Sequence, residues 1–232
     1  MKNIRHIFFD LDNTLWDHRK NAVLTLNELF ERKEIQEKHN ILFEEFHAKY
    51  DEINEDLWVK IRDGIIDKDF LRKHRFYDTF LHFGVDDEHL AEYFEKHFLD
   101  EIINYNELID GTVEILDYLK DKGYLLHVVS NGFHEVTNRK VEKSGLKKYF
   151  ETVVSAEDAK AMKPDERIFQ YSLDLANAEK HESMFIGDDW VADVKGAQNF
   201  GMDVIFFDVF KEHTSENGLK AVHQLESIKE FL

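Results

Sequence analysis

Residues 183–208 read "SMFIGDDWVADVKGAQNFGMDVIFFD", and the reading of this run decides the fold. "SMFIGDD" is a short apolar segment that stops at two carboxylates, Asp188 and Asp189. "VADVKGAQNFG" has helical periodicity and closes on Gly201, after which "DVIFFD" is apolar again. Strands that are apolar on both faces are covered on both sides, and a helix between two of them makes the pairing parallel. Moving toward the N-terminus, the same alternation persists. "TVEILDYLKDKG" is a helix closed by Gly123, "YLLHVVS" a strand ending at Ser130, and "HEVTNRKVEKSG" a helix with Gly145 past its end. "TVVSAED" is a short strand and "PDERIFQYSLDLA" a helix, while residues 4–9 supply one more strand. The expected class is α/β, a doubly wound parallel sheet. The C-terminal "AVHQLESIKEFL" reads as a closing helix.

Between the first strand and this alternation the rhythm is different. Residues 17–106 are heavily charged, and Ala22, Leu26, Leu29 and Phe30 recur at helical spacing, as do Leu90, Tyr93, Phe94, His97 and Phe98. Gly64 and Gly84 are the only glycines there and mark turns between helices. The predicted organisation is a core of residues 1–16 and 107–232, interrupted by a helical bundle at 17–106. An insertion at that point is expected over the carboxyl ends of the strands, where open α/β sheets bind ligands.

Composition narrows the function. The 232 residues are 43% hydrophobic and include 20 Phe, so a sizeable core is expected and disorder is excluded. A formal charge of −18 argues against a nucleic-acid backbone or an anionic membrane as partner. An anionic substrate would have to meet local positive charge that overcomes this background. The absence of cysteine rules out a disulfide frame, a thiolate nucleophile and a Cys-based zinc site. No apolar run approaches the roughly 20 residues of a bilayer span, and "MKNIRHIFFD" meets Asp10 too early for a signal peptide. A cytoplasmic protein is expected. The thirteen His contain no HExxH pair, are expected to be mostly exposed or capping, and do not suggest a zinc site. GxSxG, P-loop and GxGxxG patterns are missing too.

Four strand ends carry polar groups. The first is followed by Asp10 and Asp12 in "IFFDLDNTLW" (7–16), the second ends at Ser130, the third is followed by Lys163 in its loop, and the fourth by Asp188 and Asp189. A parallel sheet gathers these ends on one edge. An Asp after a single strand is most often a turn former or a cap; four such ends together suggest a site. Asp10, Asp12 and Asp188 in one pocket would repel by several kcal/mol, and oxygen ligands without His or Cys suit Mg²⁺. The cation would neutralise the cluster and attract a phosphate, to which Ser130 can donate. Lys163 can offset charge on the nucleophile. Lys160 competes for that role, but Lys163 precedes the only proline, Pro164. That position is kept out of the α region, and Pro164 suits the first turn of the next helix.

"DLDNT", "SNG", "KP" and "GDDWVAD", in this order and around a helical insertion, resemble the four motifs of the haloacid dehalogenase-like hydrolase superfamily. The likeness spans essentially the whole chain. It implies that Asp10 is a nucleophile forming an aspartyl-phosphate. Asp12 would protonate the leaving oxygen and then activate water, its backbone carbonyl binding Mg²⁺. Ser130, Asn131 and Lys163 match the phosphate-binding positions. Asp188 matches the acidic metal ligand, with Asp189 a second candidate. Asp193 fits the later acid of GDxxxxD, supporting the lysine or a metal-bound water; its plain alternative is a carboxylate favoured in the first turn of a helix.

Asp12 separates this chain from the dehalogenase branch. "NEDLWVKIRDGIIDKDFLRKHRF" and "SNGFHEVTNRKVEKSGLKKYFE" resemble nucleotidases acting on pyrimidine nucleoside monophosphates. The resemblance therefore implies a 5′-nucleotidase. The rivals are a sugar-phosphate phosphatase or phosphomutase on the same scaffold, and a non-enzymatic phospho-Asp signalling module. Lys160 stands where those nucleotidases tend to carry glycine. Trp58, Phe76 and Tyr77 are candidates to stack a base, and Trp16 to line the entrance.

Overall fold

The computed structural model describes residues 4–211 and 220–232. Six parallel strands form one sheet among these residues, in the order β3-β2-β1-β4-β5-β6. They are β1 (His6–Phe9), β2 (Leu125–Ser130), β3 (Phe150–Ser155), β4 (Ser183–Gly187), β5 (Asp203–Phe207) and β6 (Lys220–Val222). Every residue of β1 and β4 is buried, the signature of a sheet covered on both faces. Phe8 is in register with His127 and Phe185. It packs in a cluster with Val129, Ile168, Phe169 and Phe200. The alternate residues Ile7 and Phe9 are equally buried, toward the opposite face.

The helices of this unit are α6 (Thr112–Asp121), α7 (His134–Lys143), α8 (Ala156–Ala159), α9 (Glu166–Ala176) and α10 (Gly196–Phe200). Three local expectations change. The helix read at 191–201 begins as one wide turn of π type, Trp190–Lys195, before α10. Pro164 lies ahead of the N-cap of α9, Asp165, rather than in its first turn, and the Lys163–Pro164 peptide is cis. The C-terminal stretch read as a helix contributes β6 and a short 3₁₀ turn, Leu225–Glu230. There a three-residue strand pairs with β5, from Ile205 to Phe207, so sheet pairing overrides a weak helical pattern.

The remaining residues, Arg19–Tyr105, form a second compact unit. Its helices are α1 (His18–Arg32, entering from the core), α2 (Ile35–His39), α3 (Phe43–Arg62), α4 (Lys68–His82) and α5 (Glu88–Glu101). Asp67 and Asp87 cap α4 and α5, accepting from the backbone N–H groups of Phe70 at 2.8 Å and Leu90 at 3.0 Å. Gly64 and Gly84 follow α3 and α4 with φ of +70° and +77°, the left-handed turn that glycine adopts without strain. Phe76 stacks on Tyr50 at 4.9 Å and meets Phe94 and Phe98. It is bundle core, not a base contact. The tyrosine beside it, Tyr77, donates its hydroxyl to Asp86 at 2.8 Å.

Candidate active site

The chain leaves β1 toward β2 and β3 and then returns to β4 on the other side of β1. The winding reverses there, and such a reversal opens a crevice at the carboxyl ends. Asp10 directly follows β1, and its backbone N–H donates to Ile186 of β4 at 2.9 Å. Asp188 directly follows β4. Carboxylate oxygens of Asp10, Asp188 and Asp193 lie within 4.8 Å of one another. Thr14 Oγ1 donates to Asp188 Oδ1 at 3.1 Å. Lys163 Nζ reaches Asp10 Oδ1 at 2.6 Å and Asp193 Oδ1 at 2.7 Å, in surroundings that leave the lysine 1% exposed. Lys160 is exposed and caps α8 in the left-handed region, φ 51°.

Local sequence explains this convergence. At Gly187 a Cβ would sit 2.2 Å from Asp193 Oδ2, so the glycine makes room for the buried carboxylate. The backbone N–H of Asp189 donates to the same oxygen at 3.1 Å. Asn131 ties the second strand end to the third. Its Nδ2 donates to the Lys163 carbonyl at 3.0 Å, and its Oδ1 accepts from the Lys163 N–H at 2.7 Å. The side chain expected at the phosphate is thus committed to positioning the lysine. Ser130 Oγ, 1% exposed, accepts from the Gly132 N–H at 3.0 Å. Asp189 stands apart from the carboxylate group: its Oδ1 accepts from the N–H groups of Val191 and Ala192, both at 2.8 Å. Two orphan donors of a helical turn hold that oxygen.

Electrostatically the pocket holds more negative charge than it compensates. Burial pushes the Asp10 carboxyl up; Lys163 opposes this and Asp12 adds to it, for a net rise. Burial and the charges of Asp10, Asp193 and Asp189 push Asp188 well above the carboxylate range. Asp193 is pushed up to about 7, chiefly by burial and against the pull of Lys163. Burial alone would lower Lys163, but Asp10 and Asp193 outweigh it and hold the ammonium above its ordinary value. One lysine thus faces three carboxylates. Asp10 Oδ2 is buried with no hydrogen-bond partner. Oxygen donors with an unsatisfied lone pair fit a hard divalent cation.

A family model for haloacid dehalogenase-like hydrolases matches residues 4–201. The chain is a haloacid dehalogenase-like hydrolase. Among relatives, the HAD-hydrolase YfnB of Bacillus subtilis is 30% identical over 205 residues, covering 88% of this chain and 83% of its own. Pyrimidine 5′-nucleotidase PynA of Streptococcus pneumoniae is 25% identical, covering 98% and 94% of the two chains. Pyrimidine 5′-nucleotidase YjjG of Escherichia coli is 25% identical, covering 96% of each. The solved structure of YfnB bound to magnesium superposes with a TM-score of 0.89 at 25% identity, covering 100% of this chain and 99% of that one.

Beside its carboxylate cluster the hydrolase holds a second lysine that its sequence does not announce. Lys140, from α7, is 4% exposed, and its Nζ donates to Asp12 Oδ1 at 2.6 Å. The ammonium also lies 4.2 Å from the centre of the Trp16 ring. Trp16 is therefore fully buried wall rather than entrance. Burial pushes Asp12 up, yet Lys140, His18 and Lys163 outweigh it and hold the carboxyl below its usual range. The signal for Lys140 was available in outline. It shares a buried face of α7 with Thr137 and Val141 at helical spacing, and a lysine on such a face requires an acidic partner. The sequence leaves that partner unnamed.

Proposed function

We propose that this hydrolase is a Mg²⁺-dependent phosphatase working through an aspartyl-phosphate on Asp10, with a pyrimidine nucleoside monophosphate as substrate. The observation that carries the reading is the pairing of Asp10 with the buried ammonium of Lys163 at 2.6 Å, while the other oxygen has no partner. Asp10 and Asp188 side chains and the Asp12 carbonyl would hold the cation. When bound, it would neutralise the carboxylates and the phosphoryl oxygens facing them.

Asp10 attacks phosphorus, the bond from phosphorus to the ester oxygen breaks, and Asp12 gives that oxygen a proton. Water then attacks the phosphorus of the acyl phosphate. Asp12 takes its proton, and inorganic phosphate leaves Asp10. Ser130 accepts from Gly132, which leaves its hydroxyl proton for a phosphoryl oxygen. Lys163 offsets charge on Asp10, and Asp193 holds the lysine from the far side. Charge on an incoming phosphate opposes Lys140 and raises the proton affinity of Asp12, as the acid step requires.

Asp12 disfavours haloacid chemistry, because a departing halide needs no proton. The pyrimidine assignment is supported by the two nucleotidases matching nearly full length. It is tested by measuring phosphate release from a panel of nucleoside monophosphates, sugar phosphates and pyrophosphate. Highest kcat/KM on UMP or dUMP is the expected result. A preference for a sugar phosphate would replace the substrate and keep the mechanism, and halide release from 2-haloacids without phosphatase activity would overturn both.

A further inference from the structure

The residues around Asp12 say more than the motif does. Asp12 Oδ1 receives Lys140 Nζ at 2.6 Å and has His18 Nδ1 4.0 Å away. The lysine side chain is 5% exposed, whereas that of Asp12 is 29% exposed. Lys140 is thus walled in, with the Trp16 ring 4.2 Å from its ammonium, and Asp12 is the carboxylate it reaches. A flexible four-carbon side chain held this way loses its rotamer freedom. In return it clamps one oxygen of the carboxylate, through a charge-assisted hydrogen bond of the short, strong kind. The backbone gives a second constraint. Asp12 and Trp16 form an isolated bridge, Asn13 takes φ 61°, and the Asn13 N–H donates to the Trp16 carbonyl at 2.7 Å. Main chain and Oδ1 are therefore both fixed.

We infer that Lys140 is a positioning residue for the acid–base carboxylate. By anchoring Oδ1 it aims the remaining oxygen of Asp12 at the ester oxygen that leaves. The inference rests on the proposed role of Asp12, and it is distinct from the role of Lys163, which pairs with Asp10. A misplacement of about 1 Å in such a group can cost on the order of 100-fold. The loss should fall on esters whose leaving oxygen needs a proton.

Two aryl phosphates that differ in leaving-group basicity separate this from a structural or phosphate-binding role. p-Nitrophenyl phosphate expels a stable anion without protonation, whereas phenyl phosphate expels a more basic oxygen. Neither depends on nucleotide recognition. In Mg²⁺, Lys140→Gln is expected to lower kcat/KM on phenyl phosphate about tenfold more than on p-nitrophenyl phosphate, in the direction expected for lost general-acid catalysis. Asp12→Asn should show the same selectivity, and the double variant should lose no more on phenyl phosphate than Asp12→Asn alone. Should Lys140→Gln not fold, Lys140→Arg, which keeps the charge but displaces it, carries the same selective loss. An equal loss on both esters, or none, would overturn the inference while leaving Asp12 in its role. An unselective Asp12→Asn would remove the acid reading itself, and the inference with it.

Discussion

At Asp10 the two carboxylate oxygens differ: Lys163 Nζ holds Oδ1 at 2.6 Å, and Oδ2 is buried without a partner. The proposed nucleophilic role of Asp10 needs an oxygen left available in this way. Asp10→Asn is expected to abolish phosphate release, by about 10⁴-fold or more as for other lost nucleophiles. Acid-quenched protein should then carry no label from a phosphoryl donor. Gly187 sets a different limit. Any Cβ there would meet Asp193 Oδ2 at 2.2 Å and Asp193 Cβ at 2.8 Å, and Asp193 is buried, so the carboxylate would have to shift. Gly187→Ala is expected to cost about 1–3 kcal/mol by overpacking, read from denaturant midpoints. It should also depress activity by displacing the carboxylate that holds Lys163. Unchanged stability and activity would show that Asp193 has room the geometry does not provide.

Among the elements, β1 and β2 contain the largest departure from expectation. Histidine is expected mostly at the surface, yet His6 and His127 are buried in adjacent strands with ring nitrogens 3.1 Å apart. The face of His127 also carries Phe8, stacked at 4.5 Å, and its Nδ1 lies 2.9 Å from Thr152 Oγ1. Burial, helped by His6 and Lys120, lowers His127 to about 3. The unfolded chain takes up this proton near pH 6.5, and the folded chain does not until about pH 3. Stability contributed by the neutral ring is thus complete above the unfolded value and falls as pH drops through this window. The slope approaches about 1.4 kcal/mol per pH unit. Urea midpoints taken in EDTA between pH 7 and 4.5 should fall more steeply for the wild type than for His127→Asn. Parallel curves would show that another group titrates. In the helical unit the comparable surprise is Arg75, 3% exposed and paired with Glu95 through bonds of 2.6 and 3.0 Å. Helical periodicity places both on inward faces, but it does not say that they face each other.

For the whole molecule, the balance of charge is the issue. A chain with net charge −18 that binds an anion needs positive charge where the anion docks. Lys163 and Lys140 are each already paired with a carboxylate, Asp10 and Asp12, so in the proposed mechanism the remainder would come from the cation. The excess of carboxylate at Asp10, Asp188 and Asp193 predicts that the folded state takes up a divalent cation and is stabilised by it. At Mg²⁺ of about 100 times Kd the gain would be about 2.7 kcal/mol, visible as a rise in Tm. EDTA should remove both the rise and the activity, and excess Mg²⁺ should restore them. Full activity in EDTA would sink the proposed mechanism. No helix of the described residues is long and apolar enough to cross a membrane.

The α/β class, the strand ends at Asp10, Ser130 and Asp188, and the place of Lys163 in the connection after the third strand were all legible in the sequence by itself. Those features depend on local periodicity and on where apolar runs stop, both of which lie within a few residues of each other. The sequence misjudged the C-terminal segment, where the pairing of β6 with β5 outweighs a helical pattern. Tertiary structure alone decided which groups meet. Lys140 finds Asp12 across 128 residues, and Lys163 finds Asp10 across 153. Asp189 turns to its own helix while Asp193, four residues on, turns to the lysine. Such pairings are set by how a folded sheet brings distant strand ends together and by which buried charge most needs a partner. No local pattern encodes either.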